Sequence, residues 1–262
     1  MNDYINDLIR ENLRVDERDM LQYRNIKIST GVVKNASGSA MVEIGNTKVV
    51  AGVKFDIGEP FSDAPDKGVL ITNAEFVPFA APEFEPGPPD QYAVELARVV
   101  DRGIRESEAV DLSKLCIVPG EKVMMMFVDI YVLNNAGNLT DAASLAVIAA
   151  MKTARMPKVE NGELLQNEVG EPLPVVRTPI SVTVYKINGK LLIDANDREE
   201  QASSASLTVI LDEDGIIHGM QKRGSGYITE QEFSDILEIV KNKYDELKSI
   251  VDKVVDDGAH EV

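Results

Sequence analysis

The stretch 123–133, VMMMFVDIYVL, constrains the fold more than any other, because Asp129 is its only charge. An apolar run this short, rich in β-branched and aromatic residues, predicts a strand buried on both faces. Such a strand needs covering layers on either side of its sheet. Two stretches can supply them. Residues 141–154 combine Ala, Leu, Val and Ile with few charges, which predicts a helix packed inside the fold. Residues 91–107 place Leu96, Val99, Val100 and Ile104 on one helical face.

The remaining elements follow from local patterns. Tyr4, Ile5, Leu8, Ile9 and Leu13 predict a helix over 2–13 behind an Asn2 cap, and strands fit 26–33, 39–44, 47–55 and 69–77. Gly45-Asn46 marks a hairpin turn. The proline-dense VPFAAPEFEPGPPD (77–90) predicts an extended loop. After 157–179, whose prolines and Gly-Glu pairs suggest a linker, ISVTVYK and KLLIDA flank Asn188-Gly189, the strongest hairpin signal in the chain. SLTVILD and GIIHGMQK flank a turn at Asp212–Gly215. A long helix starts at Thr229, where Glu232 completes a capping box, and runs through Phe233, Ile236, Leu237, Val240, Tyr244, Leu247 and Val251. The layout is a first domain at 1–160, a linker or insertion at 161–179, a second domain at 180–255 and an acidic, frayed tail at 256–262. Hairpin-rich sheets followed by helices in both halves make the class α+β.

Composition removes several functions. One cysteine, Cys116, allows no intrachain disulfide framework and suits a reducing cytosol. With only His218 and His260 beside it, a His/Cys zinc site is not expected, and His218 has no nucleophile motif to serve. No window is apolar enough to span a membrane, and MNDYINDLIRENLR lacks the basic-then-apolar order of a secretion signal. The net charge of −17 repels nucleic acid at long range. Any RNA contact must come from a local basic patch, completed by a more basic partner.

Several segments carry a resemblance. Arg14-Val15-Asp16-Glu17-Arg18 is similar to an Arg-x-Asp-Gly-Arg motif, with Glu17 at the glycine. Gly38-Ser39-Ala40-Met41-Val42-Glu43 with Gly45-Asn46-Thr47-Lys48-Val49 follows Gly-Ser-Ala-x-Val-x-x-Gly-x-Thr-x-Val. The helix with Arg98, Arg102 and Arg105, the stretch from Val132-Leu133 to Ala142, and the second half through Asp194 to Gln221–Gly226 continue the match. Together they resemble the RNase PH family of phosphate-dependent 3′-to-5′ exoribonucleases. The resemblance implies an RNase PH-like fold with a first half like ribosomal protein S5 domain 2. Within the family the chain resembles the non-catalytic ring subunit of the archaeal exosome. That implies an alternating hexamer with a catalytic RNase PH-like relative, single-stranded RNA in its path, RNA-binding cap proteins, a cytoplasmic location and no cofactor.

Phosphorolysis needs backbone N–H donors at a helix N-terminus and a cation for the attacking phosphate. Active members of the family carry Gly-Gly-Ser/Thr-Arg there. This chain reads Gly137-Asn138-Leu139-Thr140, followed by Asp141. The cation is absent and a carboxylate follows; two like charges about 4 Å apart cost about 4 kcal/mol at an effective dielectric near 20. The same residues read more simply as a cap, with Thr140 or Asp141 at the N-terminus of helix 141–154. Asp194 and Glu200 stand six residues apart, as the active family's two aspartates do, with Glu199 beside Glu200. An oxygen-rich cluster can take a hard cation, but a solvated acidic turn is the expectation here, with no metal.

Arg98, Arg102 and Arg105 share one helix face and suit backbone phosphates. They are equally placed for ion pairs, with Glu95 three residues before Arg98, Asp101 four before Arg105 and Glu106 four after Arg102. The resemblance tips Arg98 and Arg102 toward RNA. Lys222-Arg223-Gly224-Ser225-Gly226 lacks phosphate-loop spacing and reads as a solvated turn, Met124-Met125-Met126 as packing, and Cys116 as a buried small hydrophobe. The expectation is therefore a non-catalytic, RNA-contacting ring subunit. Its rivals are an active phosphorolytic enzyme that borrows an arginine, and a scaffold that never touches RNA.

Overall fold

Two sheets close on a single buried helix. The computed structural model describes residues 2–160 and 162–258. The chain starts with α1 (Asn2–Arg10), then β1 (Ile26–Thr30), β2 (Gly38–Ile44), β3 (Thr47–Gly58) and β4 (Val69–Phe76). Helix α2 (Gln91–Glu106), a 3₁₀ turn at Leu112–Leu115, β5 (Cys116–Val118) and β6 (Lys122–Asn134) lead to α3 (Leu139–Thr153). Strands β7 (Arg155–Glu160) and β8 (Glu163–Pro172) precede β9 (Ile180–Ile187) and β10 (Lys190–Ile193). Helix α4 (Asp197–Ala202), β11 (Ala205–Leu211), β12 (Ile217–Arg223) and α5 (Glu230–Gly258) complete the chain.

The first sheet runs β1-β2-β3-β6-β4, with β5 along the start of β6. All pairs are antiparallel except β4 and β6, which α2 joins by a crossover. The second sheet, β10-β9-β11-β12, is antiparallel throughout. At Asn188-Gly189 both residues have positive φ, 47° and 75°, the geometry that matches a two-residue hairpin to strand twist. The class is mixed α+β, as expected.

Helix α3 is buried from Thr140 to Met151 because β2 and β3 cover one side and β9 another. A helix apolar around its circumference is stable only in such a sandwich. The capping box of α5 forms: Thr229 Oγ1 accepts from Glu232 N at 3.2 Å and Glu232 Oε2 from Thr229 N at 2.8 Å. Ile236, Val240, Tyr244, Leu247 and Val251 of α5 are buried.

Four expectations need correction. Strand β6 is not buried on both faces: Val128, Ile130 and Val132 are, but Phe127 and Asp129 are half-buried and Tyr131 is 39 % exposed. Its second face, with Met125, Phe127, Asp129, Tyr131 and Leu133, is mostly apolar and only half-covered. Of the two alternatives for 157–179, a linker or an insertion, the plain linker does not hold, since β7 and β8 pair across it as a separate ribbon. Pro157 fits there because a two-stranded ribbon leaves one edge of each strand unpaired. Cys116 is half-buried at the short strand β5. Of the tail 256–262, residues 256–258 continue α5, while 259–262, with His260, lie outside the described residues.

Gly38 sets how closely β2 meets α3. A Cβ there would lie 2.4 Å from the Ala150 carbonyl oxygen and 2.5 Å from Ala154 Cα, so backbone touches backbone. Gly38→Ala is expected to lower stability by about 1–3 kcal/mol through forced separation of β2 from α3. Urea denaturation checks this, as a lower midpoint with an unchanged slope.

Candidate functional site

The loop between β6 and α3 lies against the end of β10 and the start of α4. Gly137 has φ +89°, and a Cβ on it would meet the Ala195 carbonyl oxygen at 2.4 Å. Asn138, at φ 59°, is the residue before α3 and makes no side-chain cap. Thr140 and Asp141 are therefore not the cap expected of them: both lie inside the first turn, buried. Asp141 turns inward because better donors wait there. It accepts from Tyr23 Oη (2.8 Å), Asn138 Nδ2 (3.0 Å), Thr183 N (3.1 Å) and Thr183 Oγ1 (2.7 Å). Burial pushes its carboxyl up to about 6, against the opposing pull of those hydrogen bonds.

The second carboxylate group of the loop is equally enclosed. Asp194, buried at φ 47°, accepts from Arg24 Nη2 (2.7 Å), Arg24 Nε (2.8 Å), Arg24 N (2.7 Å), Arg18 Nη1 (2.9 Å) and Asn138 Nδ2 (3.0 Å). Burial alone would raise its pKa, but the hydrogen bonds and charge of Arg24 and Arg18 hold it below the ordinary carboxylate range. Glu199 forms a two-point pair with Arg14, Oε1 to Nε at 3.0 Å and Oε2 to Nη2 at 2.6 Å, with both side chains fully buried. Arg14 also donates to the carbonyls of Ile193 and Asp194. Glu200 Oε1 accepts from Asn138 N at 2.8 Å and from Tyr185 Oη at 2.6 Å, and burial raises its pKa.

The acidic turn expected to be solvated is thus buried at Asp194 and Glu199 and half-buried at Glu200. Asp194 and Glu200 both touch Asn138; both oxygens of Asp194 and Oε1 of Glu200 are taken by protein donors. No group of three or more His, Cys, Asp and Glu side chains able to hold a metal is present among the described residues. Arg24, Tyr23 and Tyr185 carry this cluster and had no role in the sequence reading. Asn196 and Glu199, spaced as a capping box for α4, were its one readable local signal.

The arginine face of α2 divides. Arg105 is an ion pair, bound to Asp101 at 3.0 Å and donating to the Leu70 carbonyl at 3.1 Å. Arg98 and Arg102 are exposed and have no hydrogen-bond or ion-pair partner among the described residues. The Glu95 expected beside Arg98 instead accepts from Arg223 at 2.9 Å and Gln221 at 3.1 Å. Arg98 and Arg102 border an open groove of about 410 Å³ with Thr72, Ala97, Asp101 and Glu106. Elsewhere, Lys222 folds on to the Gly224 carbonyl, and His218 pairs with buried Asp212 at 2.8 Å. No helix among the described residues is long and apolar enough to cross a membrane.

The buried helix and its two antiparallel-rich sheets are the two halves of a 3′ exoribonuclease domain pair, as the family matches show. Residues 22–157 match the 3′ exoribonuclease family, domain 1, and residues 177–242 match its domain 2. The chain belongs to that family, RNase PH. It is 48% identical over 255 residues to the exosome complex component Rrp42 of Thermococcus gammatolerans, covering 96% of this chain and 93% of that one. The Rrp42 of Methanocella arvoryzae is 48% identical over 248 residues, covering 94% and 93%. A chain of the Archaeoglobus fulgidus exosome with RNA bound to the active site superposes with TM-score 0.89 at 45% identity, covering 95% and 96%. An archaeal exosome core chain gives 0.86 at 42%, covering 96% of both.

Substitutions at this site have expected outcomes. Asp141→Ala removes the acceptor of four buried hydrogen bonds from three residues and should cost at least about 3 kcal/mol, at about 1–3 kcal/mol for each residue left unsatisfied. Asp141→Asn should cost far less, because its amide can donate to Thr183 Oγ1, which passes its proton to Thr208 Oγ1 2.8 Å away. In the wild type the folded Asp141 holds its proton more tightly than the unfolded one. Its contribution to stability therefore falls as pH rises from the ordinary carboxylate range toward 6. Denaturation midpoints across that window should show a shallower fall in Asp141→Asn. Separately, Glu17 stands at φ 61°, where the family motif has glycine. Glu17→Gly should raise stability by about 0.5–1 kcal/mol, read as a higher Tm.

Proposed function

We propose that this chain is a non-catalytic subunit of a phosphorolytic 3′-5′ exoribonuclease ring of the exosome type. In this reading it alternates with a catalytic RNase PH-like relative, braces that relative's active site, and offers Arg98 and Arg102 to single-stranded RNA. RNA-binding cap proteins and a cytoplasmic location belong to the same proposal.

One observation carries it. The anion position at the N-terminus of α3 is already filled from within: Asn138 N donates to the Glu200 carboxylate at 2.8 Å. A phosphate arriving there would have to displace Glu200 and would face Asp194 and Asp141 behind it. Arg24, the nearest cation of the loop, is committed to Asp194 and to the carbonyls of Ala136 and Gly137. Attack on RNA therefore has no place to start in this loop. Arg98 and Arg102 are free to grip a backbone phosphate. The half-covered, mostly apolar face of β6 and a net charge of −17 suit a more basic ring neighbour.

Phosphate-dependent degradation of a short single-stranded RNA tests the proposal, with the purified chain alone and mixed with its catalytic relative from the same cell. The expected result is no nucleoside diphosphate from the chain alone and robust release from the mixture. The double variant Arg98→Ala/Arg102→Ala should assemble yet bind and degrade RNA poorly. Nucleoside diphosphate release by the chain alone overturns the non-catalytic assignment. Wild-type RNA handling by the double variant supports a scaffold without RNA contact.

A further inference from the structure

We infer that Arg223 is a third RNA-phosphate contact, which carries the open arginine face of α2 across to the second sheet. This deepens the reading of α2 as an RNA face and rests on it. Glu95 stands one turn before Arg98 on α2 and takes Arg223 Nε at 2.9 Å and Gln221 Nε2 at 3.1 Å. Two turns on from Glu95, Arg102 lies over Gly219 of the same strand, where a Cβ would come within 3.2 Å of Arg102 Cδ. Strand β12 therefore runs beside the Glu95–Arg98–Arg102 stripe. Arg223 is level with one end of that stripe and Gly219 with the other, so Arg98 lies between the two other guanidiniums along it.

The way Arg223 is held leaves it able to bind. Glu95 engages Nε alone, and no hydrogen bond to the terminal nitrogens is present among the described residues. The side chain is 40 % exposed. A guanidinium fixed at Nε presents its remaining fork to a phosphodiester without further ordering. Register places it as well: Arg223 pairs with Ser206, and Ser206 with Tyr185, so all three side chains share one face of the second sheet. Tyr185 is the residue that holds Glu200 at the sealed loop. Arg223 thus stands between that loop and the unpaired arginines. The competing account is that Arg223 and Glu95 simply tie β12 to α2.

RNA affinity of the assembled ring, measured against salt concentration for wild type and variants, separates the two. Arg223→Ala should weaken binding and shallow the log–log salt dependence by about 0.7, the share of one phosphate on a single strand. Arg223→Lys should keep the slope. Glu95→Gln removes the opposing charge yet leaves an oxygen for Nε, and should tighten binding. An unchanged slope in Arg223→Ala, in rings where Arg98→Ala/Arg102→Ala has lost RNA, overturns the Arg223 assignment and leaves the α2 reading standing. Equal weakening by Arg223→Ala and Glu95→Gln marks the pair as a structural tie and also overturns it. Wild-type binding by the Arg98/Arg102 double variant overturns both.

Discussion

Asp194 cannot be buried without Arg18 and Arg24, and much of the molecule follows from that requirement. A carboxylate out of water needs charged or hydrogen-bonding partners for both oxygens. Here they come from the segment between α1 and β1, which thereby crosses from the first sheet to the end of β10. Arg14 with Glu199 and Tyr23 with Asp141 tie the same segment down at two further points. Losing one partner of a buried pair costs about 3–5 kcal/mol, whereas replacing the whole pair with apolar groups is often neutral. Such a network contributes less to net stability than to geometry: it decides where the loop before α3 sits.

That geometry distributes charge in a useful way. Positive side chains in the loop region are consumed by internal carboxylates, so little attraction for phosphate remains there. On α2 the opposite holds, since Arg98 and Arg102 find no acid among the described residues and stay open to solvent. A strand of RNA would be drawn past the sealed loop rather than into it.

The broad fold was legible because its signals are local. Asn188-Gly189, Gly45-Asn46, the Thr229–Glu232 box and the apolar run of α3 are each read from one short stretch. The motif order then named the family. What escaped was non-local. Asp194, Glu199 and Glu200 read as a solvated turn because nothing adjacent shows that Arg14, Arg18 and Arg24, about 170 to 185 residues away, will reach them. Asp141 read as a cap for the same reason, its true donors being Tyr23 and Thr183. Strand β6 misled differently: a run apolar on both faces can serve one covered face and one that is only half-covered. Proline misled at β7, where a ribbon with a free edge tolerates it.

Helix α3 is shared by both sheets, and one continuous apolar core runs from Val42 and Val128 through Leu145 to Val182, Val209 and Ile236. Neither half of the sequence owns a finished interior. The two family domains are separable as stretches of sequence, but as matter they melt together: opening one sheet would bare the helix on which the other is built. Partly unfolded forms that keep one half should therefore be rare, and the chain would pass through synthesis exposed until its last strands and α5 emerge.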